Sequence, residues 1–236
     1  MVTTLYLVRH GDVEGSDAKR YYGTIDIPLS EKGVEQVKGA SVFIARHLVD
    51  HAAAQRASYL NDINRPDKNR AIAGRVWQEK SIAAIYCSDL QRAVRSAEII
   101  AAPHSLVPIK LPALRERNFG IWEGMSFIEI KERYPREFDA WSENPVRYNP
   151  PGGENTLEVS ARVVAAVEQI LDDHGGEKIA IVAHGGVNRL ILCHSMGIPL
   201  ENIFRIEQDY AAVSIVEFWD KYPVVKLLNG NGGIVG

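Results

Sequence analysis

Ile179-Ala180-Ile181-Val182-Ala183 is an unbroken apolar run, closed by His184-Gly185-Gly186. A strand with one wet face alternates apolar and polar residues. A run apolar at every position fits a strand covered on both faces, as in the centre of a parallel sheet. On its N-terminal side, Asn155 with Glu158 three residues later opens a long helix carrying Val159, Val163, Val164, Val167, Ile170 and Leu171. Gly175-Gly176 ends that helix. On its C-terminal side a helix is predicted after Gly186, then closing strands over Ala212–Phe218 and Val224–Leu228.

The pattern repeats towards the N-terminus. Leu5-Tyr6-Leu7-Val8 reads as a strand, and Ser30 caps a helix with inward positions Val34, Val37, Ser41, Ile44 and Leu48. Ile82–Cys87 is a second buried strand. Ser88 and Gln91 read as the capping box of the next helix, placing Arg92 one turn in. A short strand over Val107–Leu111 and helical pieces over Phe127–Arg133 and Arg136–Trp141 precede a loop rich in Pro and Gly at 145–153. Strands alternating with helices predict an α/β fold, a three-layer α/β/α sandwich with a mostly parallel central sheet. Residues 1–236 read as one domain, with 229–236 frayed.

Bulk properties narrow the classes. Of 236 residues, 46% are hydrophobic, and the net charge of -3 offers no basic field for nucleic acid. No basic leader precedes the first strand, and no apolar stretch nears the roughly 18 residues that span a bilayer. Cys87 and Cys193 sit in apolar contexts and read as reduced core thiols. The expectation is a cytoplasmic protein with no membrane or nucleic-acid partner, and a homodimer by default.

The first strand stops on Arg9-His10-Gly11, and ligands of open α/β sheets bind beyond the carboxyl ends of strands. Three residues recur by chance, but here they are followed in order by Ser88-Asp89-Leu90-Gln91-Arg92-Ala93, Leu114-Arg115-Glu116 and Ala183-His184-Gly185-Gly186. In that order the chain resembles the histidine phosphatase superfamily, also called phosphoglycerate mutase-like, from Leu5 to about Leu228. Smaller matches are Arg20, Gly23, Asp26, Pro28, Leu29 and Ser30 after the first block, then Gly120, Glu123 and Gly124, then Gly152-Gly153-Glu154. The last of these, with the absence of a Trp-Asn pair and a Phe-Thr-Gly-Trp stretch, is similar to the phosphatase branch and to α-ribazole phosphatase-type enzymes rather than to the mutases.

The resemblance implies a phosphate pocket of Arg9, His10, Arg92 and His184, with Glu116 as acid and base. The chemistry of those residue types agrees. Arg9 and Arg92 carry guanidinium forks that match phosphoryl oxygens. His184 adds a donor, and the amides after Gly185-Gly186 lie at the positive end of a helix. His10 attacks through an unprotonated nitrogen, and neighbouring arginines keep it neutral. The product is a phosphohistidine that water hydrolyses. A carboxyl beside a dianionic phosphate holds a proton more readily, which lets Glu116 protonate the leaving alkoxide and then deprotonate water. No metal and no cofactor are called for, since the guanidinium groups carry the charge.

Substrate contacts are expected from Arg9, Ser16, Tyr22, Gly23, Arg92, His184 and Gly185. Asp12 stands where the family commonly has Glu or Gln, and Ser16 where it commonly has Asn; both bear on substrate choice. The function implied is metal-independent hydrolysis of a small phosphomonoester. Cofactor-dependent phosphoglycerate mutase activity and non-catalytic phosphate binding are the alternatives.

Blander roles compete. A histidine ending a strand is often only a satisfied polar group, and Glu116 between Arg115 and Arg117 fits a surface ion pair. Arg95 reads as an exposed charge, and His47, His51, His104, His174 and His194 as structural or exposed. Trp122 and Trp141 read as core. Residues 51–80 form an inserted connection with six Lys/Arg against three acids. It reads either as a tolerated surface excursion or as a cationic rim over an anionic substrate.

Overall fold

A computed structural model describes residues 1–63, 81–220 and 222–231, with side chains of 51–63 excepted. Eight strands are described: β1 (Val2–Arg9), β2 (Arg20–Tyr21), β3 (Ala84–Cys87), β4 (Ile109–Lys110), β5 (Met125–Ser126), β6 (Lys178–Ala183), β7 (Val213–Trp219) and β8 (Tyr222–Gly230). The helices are α1 (Glu31–Ile63), α2 (Gln91–Ala101), α3 (Phe127–Arg133), α4 (Pro135–Glu143), α5 (Thr156–Asp173) and α6 (Gly185–Met196). The main sheet has the order β4-β3-β6-β1-β7-β8. β4, β3, β6 and β1 run parallel; β7 pairs antiparallel with β1, and β8 antiparallel with β7.

Alternation along the strands builds the layers. Leu5, Leu7, Ile179, Ile181 and Ala183 face one side and pack with Val159, Val163 and Val167 of α5 and Val187, Leu190 and Ile191 of α6. Tyr6, Val8, Ala180 and Val182 face the other and pack with Val37, Ala40 and Ile44 of α1 and Ala97 and Ile100 of α2. Every residue of β6 is buried, as its apolar run requires. The predicted sandwich is the observed one.

Local readings fare unevenly. Asn155 and Glu158 form the capping box of α5, and the Ser30 hydroxyl accepts from the Gly33 amide at the start of α1. The box read at Ser88 and Gln91 is absent. α2 starts at Gln91, and the Gln91 amide donates to the Asp26 carboxylate at 2.7 Å. A side chain 65 residues away supplies the cap, because the loop after β2 lies against the helix end. Arg92 is therefore the second residue of α2, not one turn in.

The first helix does not stop near residue 50 but runs to Ile63. Residues 40–65 contain no Gly or Pro, and Ala52-Ala53-Ala54 continues the helix at low cost. The rest of the 51–80 segment lies outside the described residues. Asn229 and Gly230, read as frayed, belong to β8; 232–236 lie outside the described residues. A two-stranded ribbon of β2 and β5, too short to show in the sequence, carries a small third cluster of Trp122, Ile130 and Phe138 above the carboxyl end of the main sheet. Among the described residues no helix is long and apolar enough to cross a membrane.

Candidate active site

Register brings the two histidines together. Arg9 pairs with Ala183 across β1 and β6, and the His10 amide donates to the Ala183 carbonyl at 2.9 Å. Their successors, His10 and His184, thus leave neighbouring strands side by side, with ring centroids 5.1 Å apart. Both are buried. His184 is the N-cap of α6.

The surroundings set their protonation. Burial lowers the His10 pKa well below the usual imidazole value, and the charges of Arg9 and Arg92 add to it. Burial does the same to His184, with Arg92, His10 and Arg9 contributing. Both rings are neutral at neutral pH. The Nδ1 of His10 lies 2.7 Å from the Gly11 carbonyl oxygen. A carbonyl only accepts, so Nδ1 holds the hydrogen and Nε2 carries the free lone pair. Gly11 permits this crossing: a Cβ there would run into the backbone of Gly33 in α1.

The arginines are fixed by the backbone around them. Arg9 donates from Nη1 to the Gln208 carbonyl at 2.6 Å, and its guanidinium carbon lies 3.8 Å from the centre of the Tyr210 ring. Arg92 donates to the carbonyls of Ile25 at 2.8 Å and Gly23 at 2.7 Å. Gly23 has φ +52, and a side chain there would meet the Arg117 carbonyl and the Glu123 carboxylate. The Nε of Arg9 and both ring nitrogens of His184 are buried without a hydrogen-bond partner. Buried polar atoms are nearly always paired, so the Arg9 Nε–H and the single N–H of neutral His184 are donors left for an anion.

Glu116 is no surface ion pair. Its Oε1 accepts from the Arg117 amide and its Oε2 from the Gly186 amide, both at 2.9 Å. The neighbouring guanidiniums are engaged elsewhere, Arg115 on Asp89 and Arg117 on the carbonyls of Glu154 and Tyr148. At the helix start whose amides were expected to help bind phosphate, the Gly186 amide is taken by Glu116; a Cβ at Gly186 would occupy the carboxylate's place. Arg162 of α5 braces the same stretch, reaching the carbonyls of Ala113, Arg115 and Glu116 while pairing with Glu154 at 2.9 Å.

One cavity of about 450 Å³ gathers Arg9, His10, Tyr22, Gly23, Arg92, Glu116, His184 and Gly185. Ser16 does not line it. Gly15, at φ +71, turns the chain into a 3-10 turn over Ser16–Ala18 that carries Ser16 away. Asp12 is also outside: its carboxylate accepts from the Ser30 hydroxyl at 3.0 Å, tying β1 to the start of α1. Neither departure from the family pattern touches the cavity.

Tyr210 and Arg189 line the cavity and were not legible beforehand, since Tyr210 sits in an unpatterned loop 200 residues from His10 and Arg189 looks like an ordinary helix charge. Trp122 and Trp141, read as core, belong to the aromatic cluster and also form cavity wall. Among the described residues no group of three or more His, Cys, Asp or Glu is placed to hold a metal ion.

Comparison with known proteins agrees with this geometry. Residues 5–63 and 67–231 match the histidine phosphatase superfamily (branch 1). The chain is 28% identical over 225 residues to phosphoserine phosphatase 1 of Hydrogenobacter thermophilus, covering 95% of this chain and 91% of that protein. It is 32% identical over 194 residues to a metal-independent phosphoserine phosphatase of Arabidopsis thaliana, covering 80% and 67%. The α-ribazole phosphatase structure from Shigella flexneri superposes with a TM-score of 0.76 at 22% identity, covering 97% of this chain and 96% of that one. The chain, with its paired buried histidines at the carboxyl end of a mostly parallel sheet, belongs to the histidine phosphatase superfamily.

Proposed function

We propose that this chain is a metal-independent phosphomonoester hydrolase that works through a phosphohistidine on His10, on a small phosphorylated metabolite. The observation that carries the reading is the buried, neutral His10 with its Nδ1 hydrogen on the Gly11 carbonyl and its Nε2 free, between Arg9 and Arg92. The names of the phosphatase relatives support it. The reading takes residues 1–236 as one domain, with 51–80 as an insertion. Buried free thiols at Cys87 and Cys193 support a cytoplasmic setting.

In the first step Nε2 of His10 bonds to phosphorus as the ester P–O bond breaks. Arg9, Arg92 and a His184 N–H hold the three phosphoryl oxygens, whose charge is greatest in the transition state. Glu116 gives its proton to the departing alkoxide. In the second step Glu116 takes a proton from water, whose oxygen bonds to phosphorus as the P–N bond breaks, releasing inorganic phosphate.

The test is phosphate release from a panel of phosphomonoesters in EDTA, with His10→Ala in parallel. Metal-free turnover that falls at least about 10⁴-fold in the variant is expected. Turnover surviving His10→Ala would sink the nucleophile assignment, and phosphate esters retained without turnover would favour a binding protein.

A further inference from the structure

Beyond the two histidines and the arginines, much of the cavity wall is built of rings. Phe127 and Ile130 of α3 and Phe138 and Trp141 of α4 line it, with Trp122 and, from a separate 3-10 turn over Leu200–Arg205, Phe204. The rings of α3 and α4 touch one another: Phe127 and Phe138 have centroids 4.9 Å apart, and Phe138 and Trp141 5.6 Å. Phe127 and Phe204 nevertheless remain 46% and 67% exposed, so apolar surface stays open at the wall of a polar reaction centre.

The cations lining the cavity among the described residues have identifiable partners or places. Arg20 is held by the Glu129 carboxylate and the Gly124 carbonyl. Arg117 spends its donors on the Glu154 and Tyr148 carbonyls and on the Thr156 hydroxyl. Arg189 donates from Nε to the Ile206 carbonyl, and its Nη1 lies beside Arg9 Nε, where both would be within 3.5 Å of a Cβ on Gly185, so its remaining donors belong to the phosphoryl end. Arg9 and Arg92 belong to the phosphoryl group. Among the described residues, a carboxylate or a second phosphate on the leaving group would lose water against the ring-lined wall without gaining an unengaged guanidinium there, which disfavours it. An aromatic ring would gain apolar contact and edge-to-face packing.

We propose that the site selects phosphomonoesters whose leaving group is an uncharged aromatic ring, seated among Phe127, Phe138, Trp141 and Phe204. The inference rests on the hydrolase reading for the orientation of the ester, with phosphate at His10 and leaving group towards the rings. It separates this chain from relatives whose names specify phosphoserine, a leaving group that carries a charged amino acid.

Calorimetric binding of three non-hydrolysable phosphonates reads the preference without turnover. Benzylphosphonate is expected to bind at least about ten-fold tighter than methylphosphonate or 3-phosphonopropionate. In Phe127→Ala and Phe204→Ala that ratio falls to about three or less. Equal affinities, tightest binding of the carboxylate-bearing compound, or a ratio untouched by both variants would overturn the inference. Hydrolysis of phenyl phosphate and phosphoserine in the same samples separates the two claims. Turnover with phosphoserine preferred removes the aromatic selectivity and leaves the hydrolase. The expected phosphonate ranking without turnover of any ester removes the hydrolase and leaves the aromatic selectivity.

Discussion

At the residue scale, the site depends on two imidazoles kept neutral by burial and by the arginines beside them. The folded pKa of each lies below the unfolded value of about 6.5, so the unfolded chain takes up protons first as pH falls. Stability is therefore whole above about pH 6.5 and declines below it. The urea midpoint should drop between pH 7.5 and 5.5, and His184→Gln should shrink that drop. The acid limb of kcat/KM should lie below the ordinary imidazole value, because His10 stays unprotonated there; a limb at 6.5 or higher would contradict its depressed pKa. Glu116 makes a different prediction. Glu116→Gln keeps an acceptor oxygen and loses the transferable proton. It should lower kcat about 10²–10⁴-fold for alkyl esters and far less for p-nitrophenyl phosphate, whose leaving group needs no proton. Equal losses on both would mean that Glu116 only shapes the site.

At the element scale, helix ends place the chemistry. α6 starts one residue after His184 and offers its Gly186 amide to Glu116. α2 starts one residue before Arg92, and its cap comes from Asp26, whose backbone carbonyl also accepts from the Gln91 side chain. Asp26 thus joins the loop holding Gly23 and Ile25 to the helix carrying Arg92. Asp26→Ala should cost about 1 kcal/mol in urea denaturation. It should also lower kcat/KM, because Arg92 loses the fixed carbonyls that aim it. A stability loss with kcat/KM untouched would confine Asp26 to capping. The cap at α5 was legible because both members of its box are local. The cap at α2 was not, because its acceptor arrives through a fold contact.

At the scale of the whole molecule, two apolar layers meet on one sheet, and β6 contributes to both. Ile181 is fully buried between β1 and β3 in the register. Ile181→Ala should destabilise by about 2–5 kcal/mol, since a packed layer cannot collapse around the missing methylenes. Val224→Ala, on the outer strand β8 and 42% exposed, should change stability by no more than about 0.5 kcal/mol. The contrast, measured by urea denaturation, tests whether the centre of the sheet carries the stability. The same layering fixes the site, since parallel β1, β3 and β6 all end at one edge.

The strands and helices of the main sheet, the sandwich and the five candidate residues that line one cavity followed from the chain itself. Apolar period reports burial on one or both faces wherever the run is long enough, as at 179–183, and Arg9, His10, Arg92, Glu116 and His184 each sit in a recognisable local block. Tertiary structure alone decided the rest. The Asp26 cap, the bracing of Glu116 by Gly186 and Arg162, the Tyr210 ring over Arg9, the removal of Ser16 from the cavity and the aromatic wall are contacts between residues tens to hundreds of positions apart. No local period encodes such contacts; they exist only once two strands are in register and a short ribbon has folded over their ends.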